Sequence, residues 1–228
     1  PDDVHRARTR LVSLENTCNR GGGSCYDLVE IAKIRSLCDA HGLGLHLDGA
    51  RLMNAIVANQ ENPKDYGKMF HSISLCLSKG LGAPVGSVLL GDAAFIKQAR
   101  RVRKVMGGGM RQAGYLAAAG LFAMEHNINR LAEDHAHAKL LASALASCNW
   151  VGEIFPVETN IVIFEVLGNG DSAAGISSSL KTAPEIIAAL LSQNIRVSAM
   201  SPTHIRMVTH LGVTPEMIHR TVEVLKGL

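Results

Sequence analysis

The chain has no apolar run long enough to span a bilayer, no visible signal peptide, no CxxC cysteine pair and no internal repeat. The first of these absences argues against a membrane-spanning helix. The five cysteines, Cys18, Cys25, Cys38, Cys76 and Cys148, are odd in number, and three fall inside apolar patterns. They read as reduced thiols in a cytoplasmic-type compartment, not as a disulfide framework. Charge of one sign is also scarce. Lys and Arg number 23 against 20 Asp and Glu, and the net charge of +3 does not point to nucleic acid. What remains is a chain of 228 residues, 47% hydrophobic and 19% charged, the composition of a soluble globular protein. It has room for one large domain or one and a half. Its first residue is Pro1, which predicts a processed product or part of a longer polypeptide.

Apolar runs alternate with helical stripes. Leu11-Val12-Ser13-Leu14 reads as a short buried strand. Asp27 and Glu30 have capping-box spacing, ahead of a stripe of Leu28, Ile31, Ile34, Leu37 and Cys38. Gly42 after His41 marks the helix end, and residues 43–47 read as the next strand. Such a βαβ unit predicts parallel strands with a right-handed crossover. Residues 72–77 and 85–90 are two further apolar runs joined by a short turn, which predicts antiparallel pairing. Beyond Gly91 the pattern is helical to about Ala146. Strands are expected at 160–166, 195–199 and 205–209, a loop at 167–179, and a terminal helix opened by Thr214-Pro215. The expected class is α/β: a mixed, mostly parallel sheet with helices over residues 1–148, then a smaller α+β domain over 149–228.

Three polar residues, Glu15, Asp48 and Lys79, fall at or just beyond the carboxyl ends of three strands, where open α/β sheets bind ligands. Asp48 lies in Leu47-Asp48-Gly49-Ala50-Arg51, and Lys79 opens the glycine turn Lys79-Gly80-Leu81-Gly82. Singly, each has a plain explanation, an Asx turn for Asp48 and a surface lysine for Lys79. Together they suit a pyridoxal phosphate site. The lysine can hold the cofactor as an imine, and the carboxylate can keep the pyridine nitrogen protonated. Such a lysine must lose its proton, which predicts partial burial near positive charge. His46 and Asp48 share a strand face but lack a third ligand, so a metal is set aside. Gly80-x-Gly82 with Gly86 lacks the strand-turn-helix context and acidic partner of a dinucleotide loop. Lys97, Arg100, Arg101, Arg103, Lys104 and Arg111 read as a solvated basic face. The triple glycine after Met106 implies a backbone that bends close to something.

These stretches resemble the low-specificity threonine aldolases. The resemblance rests on Leu47-Asp48-Gly49-Ala50-Arg51, on the run from Cys76 through Lys79 to Ser87, and on Arg103 through Gly107-Gly108-Gly109 to Gln112. Glu15-Asn16-Thr17, Thr159-Asn160 and Arg206-Met207-Val208-Thr209-His210 fit in the same order, so nearly the whole chain is covered. It implies fold type I of the pyridoxal phosphate enzymes, with cleavage of L-threonine or L-allo-threonine to glycine and acetaldehyde. It implies that Lys79 and Asp48 act on the cofactor as above and that Arg51 lies beside it. Arg111 would reach the cofactor phosphate of a neighbouring subunit, making a homo-oligomer, a dimer or tetramer, with shared sites. Arg206 would clamp the substrate carboxylate, since a guanidinium fork matches that planar anion.

Members of that family carry a further N-terminal portion, roughly a third of the enzyme, with a phosphate-binding turn and a histidine stacked on the cofactor. A companion N-terminal chain or a longer precursor is therefore expected. Cys18 stands where many members have histidine, and no histidine here fills the role of catalytic base by motif. Two rival readings are β-elimination by another fold type I lyase, and a non-catalytic fragment.

Overall fold

A computed structural model describes residues 4–167 and 182–228, so the loop expected at 167–179 lies, beyond Leu167, outside the described residues. The chain divides into two units. One holds the residues up to Thr17 and Cys25–Ile128, and the other holds Cys18–Ser24 and Asn129–Leu228. This division precedes the 148/149 boundary expected from sequence.

In the first unit, β1 (Leu11–Glu15), β2 (Gly44–Gly49), β3 (Ser72–Cys76) and β4 (Ser87–Gly91) form one sheet in that order. β1, β2 and β3 are parallel, and β4 returns antiparallel to β3. Strand alternation gives the sheet two unlike faces. Leu45, Leu47, Ile73 and Leu75 are buried. Ser13, Glu15, His46, Asp48, Ser72, Ser74 and Cys76 occupy the intervening, polar positions.

α1 (Leu28–Ala40) starts where the Asp27 carboxylate accepts from the Val29 N–H. The expected capping box does not form: Asp27 accepts from Val29, one residue short of the Glu30 N–H that such a box uses, and the Glu30 carboxylate turns to Lys33. Of the expected stripe, Ile31 and Cys38 are buried while Leu37 remains 61% exposed. The connection between the second and third strands holds two helices not foreseen, α2 (Leu52–Asn59) and α3 (Pro63–Met69). α3 had a readable signal, Asn62 as N-cap with Pro63 at the first helical position. α4 (Ala93–Val105) and α5 (Gly114–His126) complete the unit. β4 is exposed along its length and α4 buries no residue among the described ones.

The second unit contains α6 (Leu131–Leu145), β5 (Val151–Ile154), β6 (Ile161–Val166), α7 (Ala183–Ser192), β7 (Ser198–Ala199), β8 (His204–Val208) and α8 (Pro215–Gly227). Its sheet runs β5-β6-β8-β7, antiparallel throughout. β5 was not foreseen, since a four-residue Val-Gly-Glu-Ile carries little strand signal. β7 keeps only two residues of the expected five-residue run. Val162, Phe164, Ile205 and Met207 pack with α6, α7 and α8 side chains around Trp150.

α6 also buries His135, and burial pushes its pKa down to about 4, with Lys139 adding a smaller effect in the same direction. The folded state therefore binds this proton less readily than the unfolded chain does. Stability is full above the ordinary histidine pKa near 6.5 and falls as pH drops toward 4. Denaturant titrations across that window should show the loss, and His135→Gln should flatten it. An unchanged pH slope in the variant would dismiss His135 as the cause.

Candidate active site

Asp48 is set by the polar-face alternation of β2. It pairs in register with Glu15 on one side and Ser74 on the other. Its Oδ1 accepts from the Ala50 N–H at 3.0 Å, so the expected Asx turn is present, and the side chain stays exposed. Gly49 is required here, because a Cβ would sit 2.8 Å from the Ser74 carbonyl oxygen. The close approach of β2 to β3 keeps Asp48 beside the strand that leads to Lys79.

Lys79 lies three residues past the end of β3, in a turn held by its backbone. The Gly82 N–H donates to the Lys79 carbonyl at 2.9 Å, and the Ala83 N–H to the Leu77 carbonyl at 2.9 Å. Gly82 has φ 74, which a side chain would resist. Leu77, Leu81 and Ala83 are buried and anchor the turn. Asn127 locks it further, donating through Nδ2 to the Leu81 carbonyl at 2.7 Å. Lys79 itself is exposed, which corrects the expectation of partial burial. The buried residues of the turn are its apolar members Leu77, Leu81 and Ala83, not the lysine.

Arg51 is the half-buried N-cap residue of α2. Arg111 is exposed in the segment between α4 and α5. The first unit thus carries Asp48, Arg51, Lys79 and Arg111. Asp48 and Lys79 share the carboxyl ends of neighbouring parallel strands. A carboxylate and an exposed primary amine in that arrangement fit the donor set that pyridoxal phosphate needs.

Asn16, quoted above within Glu15-Asn16-Thr17 but given no role there, follows β1 and is fully buried. Its Nδ2 donates to the Tyr66 hydroxyl at 3.1 Å, and that hydroxyl donates to Glu61 Oε2 at 2.7 Å. Burial first, then Glu61, pushes the Tyr66 pKa upward, so the phenol stays protonated as a donor. Next to Asn16, Thr17 buries a hydroxyl with no partner among the described residues. The Asn16-Thr17 dipeptide was the available signal.

Arg206 belongs to the second unit, on β8 between Ile163 of β6 and Ser198 of β7. Ile205 and Met207 point into the core, so alternation puts Arg206 on the opposite face. Its Nη1 donates to Asn19 Oδ1 at 2.8 Å, and its Nε is buried without a partner. Asn19 is a residue the sequence reading missed. Thr159 and Asn160, part of the quoted motifs, brace the same unit. Thr159 Oγ1 donates to the Gly23 carbonyl at 2.7 Å and Asn160 Nδ2 to the Thr209 carbonyl at 2.8 Å.

Residues 1–168 match the family model described as beta-eliminating lyase. Among the relatives, a low specificity L-threonine aldolase of Escherichia coli is 39% identical over 218 residues, 96% of this chain and 60% of its own length. A low-specificity L-threonine aldolase of Arabidopsis thaliana is 39% identical over 215 residues, 94% of this chain and 58% of its own. The chain spans about three fifths of the length of these relatives. The solved threonine aldolase of Leishmania major superposes with a TM-score of 0.76 at 22% identity, over 99% of this chain and 63% of that one. A histidinol-phosphate aminotransferase of Clostridium acetobutylicum superposes at 0.67 with 13% identity, over 95% and 63%. These two likenesses speak for the fold.

Proposed function

This chain belongs to the beta-eliminating lyase family, and from that premise we propose that it carries part or all of a pyridoxal phosphate-dependent threonine aldolase. The observation that carries the reading is the placement of Asp48 and Lys79 at the carboxyl ends of neighbouring parallel strands. The relatives named above are called L-threonine aldolases, which supports L-threonine as a substrate; L-allo-threonine as a second substrate, and glycine and acetaldehyde as products, are part of this proposal.

When bound, pyridoxal phosphate supplies a sink for the electron pair released as the substrate Cα–Cβ bond breaks. The chain's own residues do the rest. Lys79 would offer the amine that holds the cofactor and, once substrate has displaced it, could give a proton to Cα, while the β-hydroxyl proton leaves to a base for which no motif in this chain speaks. Asp48 would hold a proton at the pyridine nitrogen through a charge-assisted hydrogen bond. Arg51 is assigned to the cofactor's surroundings, and Arg111 to the cofactor phosphate of a neighbouring subunit, which makes the enzyme a homo-oligomer. The odd number of cysteines, five, supports a cytoplasmic setting, and no helix among the described residues is long and apolar enough to cross a membrane.

Arg206 is assigned to the substrate carboxylate. Arg206→Leu should weaken glycine binding by about 2–5 kcal/mol, the cost of losing a charge-assisted contact to an ion left unpaired, while cofactor affinity changes little. Titration of the cofactor-loaded protein with glycine, followed by visible absorbance, measures both. Equal glycine affinity in variant and wild type would move the carboxylate contact elsewhere.

The reaction itself is tested by product analysis with L-threonine and added cofactor. Glycine with acetaldehyde supports the aldolase. Formation of 2-oxobutanoate with ammonia would make the protein a β-eliminating enzyme. Neither product, from a protein given cofactor, would make the chain non-catalytic by itself.

A further inference from the structure

Resting on the carboxylate role of Arg206, we propose that Asn19 is the positioning residue of that arginine. It holds the guanidinium in place while leaving its charge free for a ligand carboxylate.

The seven residues Cys18–Ser24 fold with the second unit, although only Asn16 and Thr17 separate them from the first-unit strand β1. They form a small closed loop. The Cys18 N–H donates to the Ser24 carbonyl at 2.9 Å, and the Gly23 N–H to the Cys18 carbonyl at 2.8 Å. The loop is fastened to the unit by Thr159 Oγ1, which donates to the Gly23 carbonyl at 2.7 Å. Its glycines are demanded by this packing. Gly22 and Gly23 have φ of 73 and 80, and a Cβ on Gly23 would lie 2.5 Å from Thr159 Oγ1. The loop therefore presents Asn19 from a fixed backbone, 187 positions away in sequence from the arginine it meets.

The partner's chemistry is the second part of the argument. Arg35 and Arg130 are paired with carboxylates, those of Asp39 and of Asp134. Arg206 has no ion-pair partner among the described residues, and its bond to Asn19 is the one hydrogen bond its guanidinium makes there. An amide oxygen orients a guanidinium without neutralising it. An aspartate in the same place would take the fork for itself and oppose an incoming anion. A half-buried arginine on rigid strand backbone, oriented by a neutral group, is built to accept a carboxylate from outside the chain.

The test is a glycine titration of the cofactor-loaded protein, with glycinamide as the probe lacking a carboxylate. Asn19→Ala should weaken glycine binding about tenfold, one charge-assisted hydrogen bond's worth. Asn19→Asp, nearly the same size, should weaken it about a hundredfold by competing for Arg206. Glycinamide binding should stay at the wild-type value in both. With Arg206→Leu already present, Asn19→Ala should cost nothing more, because the two residues act as one unit. Equal losses for glycine and glycinamide would make Asn19 a structural residue and overturn the proposal. So would unchanged glycine binding in both variants. A wild-type protein that takes the cofactor but shows no response to glycine would overturn the aldolase reading first, and this inference with it.

Discussion

Lys79→Ala should abolish covalent retention of pyridoxal phosphate and leave the fold unchanged. The side chain is exposed, and the turn that carries it is closed by backbone hydrogen bonds and by the Asn127 amide. None of these involves the lysine amine. Removing an exposed side chain of this kind changes stability by no more than about 0.5 kcal/mol. Borohydride reduction of the cofactor-treated protein followed by peptide mass analysis gives the answer. Wild type should carry the cofactor mass on the peptide containing Lys79, and the variant should carry none. Cofactor mass found on another lysine would remove Lys79 from its role.

Asp48→Ala should lower turnover by about two to four orders of magnitude, because the charge it supplies acts mainly in the transition state. The substitution also removes the acceptor for the Ala50 N–H. Asp48→Asn separates the two effects. An amide keeps an oxygen for Ala50 but cannot hold a proton at the pyridine nitrogen as an anion does. Turnover should therefore fall in both variants, while the melting temperature should fall more in the alanine variant. A rise in KM with unchanged turnover would make Asp48 a binding residue only.

Both predictions concern residues legible in the sequence. Asp48 and Lys79 follow apolar runs in a pattern of strands, and the carboxyl ends of parallel strands are where side chains meet ligands. The parallel pairing of the first two strands and the antiparallel return of the fourth on the third were legible as well, from the lengths of their connections. The helices between the second and third strands were less so. Leu52-Met53-Asn54-Ala55-Ile56 is buried throughout and gives no one-sided stripe to detect. The exposure of Lys79 was not legible either. Whether a turn residue faces inward depends on which neighbours anchor the turn, and here those are Leu77, Leu81 and Ala83.

By itself, the sequence determined the alternation along each strand, the glycines where the backbone turns tightly, and the acid and amine at neighbouring strand ends. These are local properties, read within a few residues of chain. Only the tertiary structure decided that Cys18–Ser24 belongs with the second unit, that helix α6 does too, and that Arg206 meets Asn19. Periodicity carries no information about which of two units a short glycine-rich loop will join. That choice rests on the Thr159 hydroxyl reaching the Gly23 carbonyl across 136 residues of chain, a contact that exists only once both ends are folded.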